Sequence, residues 1–216
     1  MSVMEIINFL ARWGHLLFGI TWIGLLYYFN FIQGGYFKQA GPEALADAKA
    51  KLAPSALWWF RWGAMFTFLT GLLLLLGVHK QNVMNDYIVV GALLGTLMFL
   101  NVWLVIWPNQ KIALGLVEGG DAAAAGAKAL LASRTNTLFS APMAYCMLAS
   151  PHIGYGADTL LSANGGGAGL IASVVVALAL EGNALFGKQG PMTTVKGVIT
   201  SSLVLTAILV GLINLL

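Results

Sequence analysis

WGHLLFGITWIGLLYYFNFIQGGYF, residues 13–37, runs for twenty-five positions without a charged side chain. A helix rises 1.5 Å per residue, so about 20 apolar residues cross the ~30 Å hydrocarbon core of a bilayer. This stretch is long enough to do so. Five further charge-free windows follow: Trp62 to His79, Tyr87 to Gln110, Thr135 to Ala157, Thr159 to Leu180, and Gly197 to the C-terminus. In lipid each spanning segment must satisfy its own backbone, which leaves helices or a closed barrel. The windows are helix-sized, so the sequence predicts an all-α integral membrane bundle of about six transmembrane helices. It forms one domain over residues 1–216, with spans near 9–33, 56–79, 86–107, 135–152, 168–187 and 195–216.

Composition agrees. The chain is 59% hydrophobic and 9% charged, where soluble domains carry about a quarter charged residues. Its net charge of +3 reads as loop lysines beside a membrane, and no basic cluster marks a nucleic-acid partner. Cys146 stands alone, which rules out an internal disulfide, and no C-x-x-C-H attaches a c-type haem. The first apolar run is too long for a cleavable leader. Pro142 lies inside the fourth span and should free the carbonyl of Leu138 and kink the helix. The Ala-rich connections 38–51 and 111–134 read as short helices on the membrane surface. Asn164–Gly167 reads as a turn.

The predicted loops one-two, three-four and five-six carry Lys38, Lys49, Lys51, Lys111, Lys128, Arg134, Lys188 and Lys196, against Lys80 on the other side. That bias places both termini on the non-cytoplasmic side. His15, His79 and His152 then fall in the same outer half. Imidazole ligates haem iron, copper and zinc, so these three are the candidate metal ligands. Arg12 lies one turn outward from His15 and Gly19 one turn inward. Together they could offer a haem b its ligand, a partner for its propionates and room for its ring. Copper is the alternative. Met65, Met98, Met143 and Met147 could serve as axial ligands but read as packing. Glu181 is the one acid well inside a span; an ion pair with Arg61 in the same half is its structural reading, and a proton path or a quinone contact is the alternative. Asn101, Asn136 and Thr67 are expected to make helix–helix hydrogen bonds. Trp58, Trp59, Trp62, Trp103 and Trp107 read as an aromatic belt.

Four stretches, RWGHLLFGITWIGLLYYFNFIQ (12–33), LWWFRWGAMFTFLTGLL (57–73), NVWLVIWPNQK (101–111) and SRTNTLFSAPM (133–143), resemble the membrane domain of the bacterial membrane urate hydroxylase family. The resemblance implies a multi-pass, cytochrome-linked oxidoreductase of the bacterial cytoplasmic (inner) membrane. Family members join such a domain to a C-terminal c-type cytochrome outside the cytoplasm. These 216 residues hold no such cytochrome, so electron delivery is expected to need a separate partner. Two readings follow. One is a redox module that holds haem b and oxidises a small molecule or relays electrons. The other is a cofactor-free accessory subunit of a larger membrane complex. A small transporter would need more polar residues along a path through the spans.

Overall fold

The computed structural model describes residues 2–153 and 167–216, and every regular element among them is helical. Helix α1 runs Val3–Gln39, α2 Pro42–Lys80, α3 Asp86–Ala113, α4 Ala122–His152, α5 Ala168–Phe186 and α6 Val195–Leu215. A 3₁₀ turn, Gly190–Thr193, precedes α6. The glycine turn expected at Asn164–Gly167, and the inner ends of the two windows around it, fall largely on residues outside those described.

Polar caps explain where the helices begin. The Ser2 hydroxyl and the Glu5 carboxylate close a capping box on α1. Asn85 Oδ1 accepts from Ile88 N–H (3.1 Å) at the start of α3. Asp121 Oδ1 accepts from Ala123 and Ala124 N–H (2.8 and 3.1 Å) at the start of α4. Each satisfies donors that the first helical turn leaves open.

Five of the six helices are long and apolar enough to cross a membrane: α1, α2, α3, α5 and α6. The chain is thus a multi-pass helical membrane protein. Helix α4 differs in kind. All ten residues from Leu131 to Ser140 are buried, whichever way they face, because α1, α3, α5 and α6 all pack on this helix. A helix sheltered by its neighbours need not be apolar, and this one carries Ser133, Arg134, Thr135, Asn136 and Thr137 in succession.

Two readings of the connections are corrected. Residues 38–51 form no separate surface helix. They continue α1 and α2, and only the break at Ala40–Gly41 separates the two. Likewise, residues 122–134 belong to α4, because Asp121 caps them into one helix with the span that follows. Arg134, counted above as a loop charge, is therefore inside the bundle and 8% exposed.

Close approaches set the packing. A Cβ on Gly91 would stand 3.1 Å from Cys146 Cβ, and one on Gly63 would stand 3.2 Å from Trp22 N. These glycines let α3 reach α4, and α2 reach α1, at backbone distance. The carbonyl that Pro142 frees finds a partner across the bundle: Ser202 Oγ–H donates to Leu138 O (2.8 Å).

Candidate functional site

Three helices in the bundle contain π-helical stretches, Tyr28–Gln33 in α1, Ala48–Leu52 in α2 and Asn101–Ile106 in α3. A π turn shifts the phase of a helix and recurs at functional sites. The stretches in α1 and α3 each carry one buried asparagine that bonds to α4. Asn30 Nδ2 donates to Ser133 Oγ (2.8 Å). Asn101 Nδ2 donates to Asn136 Oδ1 (3.0 Å) and also to Glu181 Oε2 of α5 (3.0 Å). Asn136 Nδ2 returns to α3 by donating to Met98 O (2.9 Å). Ser133 and Asn136 lie within one turn, so α1, α3 and α5 meet α4 at one depth.

This layer is incompletely satisfied. Among the described residues, Asn30 Oδ1, Asn101 Oδ1, Gln33 Oε1, and both Nε and Nη1 of Arg134 are buried without hydrogen-bond partners. Unpaired buried groups are costly, and each calls for an explanation. A cation inside a membrane segment is costlier still. The one side-chain ion pair among the described residues is Lys51–Asp47, at the surface of α2.

Above the layer, on the side of α1 and α6, a cleft of about 220 Å³ is lined by Tyr27, Phe31, Thr137, Ser140, Ser202 and neighbouring apolar side chains. Ser140 Oγ–H donates to Thr137 O (2.8 Å), and Tyr27 OH lies 2.9 Å from Ser140 Oγ. The Thr137 carbonyl can only accept, so Ser140 spends its proton there and Tyr27 must donate to Ser140.

The expected ion pair between Glu181 and Arg61 does not form. Glu181 accepts from Asn101, while the Arg61 guanidinium stacks 3.8 Å from the centre of the Trp107 ring. Asn101 and Asn136 make the helix–helix hydrogen bonds expected of them, and they make one of these with each other. Thr67 uses its hydroxyl within its own helix (to Gly63 O, 2.7 Å), and its carbonyl oxygen meets His15.

The histidines are not brought together. His15 Nδ1 lies 2.9 Å from Thr67 O and 3.2 Å from Thr70 Oγ1. A Cβ on Gly71 would sit 3.1 Å from the imidazole Cε1, so α2 closes over one side of that ring. Gly19, read above as room for a haem, faces the Thr67 methyl instead. His79 is eight residues beyond Gly71 on α2, about 12 Å further along the axis, and is exposed. His152 is exposed at the end of α4, and Arg12 is exposed on α1. No group of three or more His, Cys, Asp or Glu among the described residues is arranged to hold a metal ion. The ligand set His15, His79 and His152 therefore does not fit a shared haem or copper centre. What α1 and α2 build there is a helix–helix seam.

Fold and site together define a polytopic helical membrane protein whose polar centre is gathered around one buried helix. The model of the family described as "Urate oxidase N-terminal" matches residues 80–209, more than half of the chain. The chain belongs to that family. The matched segment contains Asn101, Arg134, Asn136, Glu181 and Ser202. No curated protein and no solved structure matches the chain.

Proposed function

We propose that this protein is a membrane-embedded oxidoreductase of the urate hydroxylase type, and that the layer around α4 is its reaction centre. The observation that carries the reading is the bridge Asn136–Asn101–Glu181, with Asn101 at its centre. It ties three helices to a carboxylate held within the membrane, inside the segment that matches the family. Intramembrane ionisable residues are costly and mark functional sites by default. Hydroxylation of urate by water removes two electrons and releases two protons. Glu181, oriented by Asn101, is the final acceptor of one of those protons, which reaches it through the polar layer around α4. The electrons leave to an acceptor of the c-type cytochrome class.

In this reading α4 also crosses the bilayer, which gives six spans and puts both termini on one side. With Arg134 moved into the bundle, the loop and helix-end census is seven lysines against Lys80, still a strong inward bias. The membrane is the bacterial cytoplasmic one. The test is urate consumption by membranes that contain the chain, supplied with ferricytochrome c. Urate loss coupled to cytochrome reduction supports the reading. Membranes that hold folded protein and leave urate untouched reject it.

A further inference from the structure

Resting on the urate reading, we propose that Arg134 and the cleft between α1, α4 and α6 form the binding site for a planar oxopurine anion. Arg134 is 8% exposed, and its Nε and Nη1 have no partner among the described residues. A guanidinium in this setting needs an anion, and its planar fork matches a flat, delocalised one better than a point charge.

Position comes next. Arg134, Thr137 and Ala141 stand at i, i+3 and i+7, so they share one face of α4. Thr137 and Ala141 both line the cleft. Arg134 does not itself line the cleft, but its Cα is one turn below it on the same face.

The shape of the cleft sets the ligand class. Its volume of about 220 Å³ is below the ~300–1,000 Å³ typical of drug-sized ligands and suits one small ring system. The Tyr27 and Phe31 rings stack along its wall, with centroids 4.9 Å apart and planes at 19°, and give a flat surface for a flat ligand. Tyr27 donates to Ser140, so its oxygen keeps lone pairs free to accept from ring N–H groups. Ser202 Oγ, whose proton goes to Leu138 O, offers the same. An oxopurine anion has both requirements: carbonyl and anionic edges for Arg134, and N–H edges for these oxygens.

The test is equilibrium dialysis of urate against the purified full chain in nanodiscs. The variants are Arg134→Gln, Arg134→Lys, Ala141→Phe and, as a lipid-side control, Leu148→Phe. Losing a buried charge partner should weaken urate binding about thirtyfold or more in Arg134→Gln, and less in Arg134→Lys. Ala141→Phe should abolish saturable binding by filling the cleft, while Leu148→Phe should bind as the wild type does. Size exclusion identifies variants that fail to fold, and if Arg134→Gln is among them the other two decide.

Wild-type affinity in Arg134→Gln, or in a folded Ala141→Phe, overturns the site while leaving the urate reading intact. Binding that excess chloride removes shows a general anion hole and overturns the ring assignment. Arg134-dependent urate binding without any turnover upholds the site and rejects the oxidase. A wild-type chain that binds no urate rejects both.

Discussion

Ser202 and Leu138 show how one residue's chemistry sets another's. Pro142 cannot donate to the carbonyl four residues back, and inside a membrane no bulk water can replace that donor. The hydroxyl of Ser202 does so from α6, which pins α6 to α4 beside its proline. Ser202→Ala should therefore lower stability by about 1–3 kcal/mol, read as a lower unfolding temperature in detergent. An unchanged unfolding temperature would show that the carbonyl has another partner. His15 makes a similar bond across the α1–α2 seam. His15→Ala should cost about 1 kcal/mol of stability and leave the visible absorption spectrum of the purified protein as it was. Loss of a haem band in that variant would restore the ligand role that the seam geometry argues against.

Among the elements, α4 separates what the sequence revealed from what it concealed. The lipid-facing helices announced themselves because lipid demands apolar side chains, and unbroken runs such as 13–37 meet that demand. Helix α4 is shielded by its neighbours and is free of it. Its run SRTNT therefore read as the edge of a loop, and Arg134 as a loop charge. Burial depends on partners distant in sequence, which residue periodicity does not report. Five consecutive polar residues leading straight into an apolar span are the one local sign that this helix is central. Asn101 was legible as a helix–helix contact because it interrupts an otherwise apolar window, and Asn136 because it sits at the start of one. Asn30 was hidden by the aromatic run around it, and the π turn that aims it at Ser133 has no sequence signature. The interface of α3 and α4 gives a direct test of the packing. Gly91→Val should force α3 away from Cys146 and cost about 1–3 kcal/mol. A substitution at Gly24, where nothing lies within 4 Å of the added Cβ, should cost much less. Equal effects at both positions would contradict the close contact.

At the scale of the molecule, the design is a polar axis inside an apolar jacket. The jacket meets the lipid, and α4 holds polar groups that no lipid-facing helix could carry. The six crossings proposed above and the lysine bias give an orientation that labelling can check. Cys146 is the only cysteine and is buried, so it gives little background for a membrane-impermeant thiol reagent. In intact cells Asn82→Cys should react and Glu118→Cys should react only after the membrane is opened. The reverse pattern would invert the topology. The central claim is that urate is oxidised at the layer around α4, and its most direct test is an anaerobic titration of the purified protein with urate and a one-electron acceptor. The account predicts two acceptors reduced per urate consumed, with the rate at least tenfold lower in a correctly folded Glu181→Gln. Urate turnover unaffected by that substitution would contradict it.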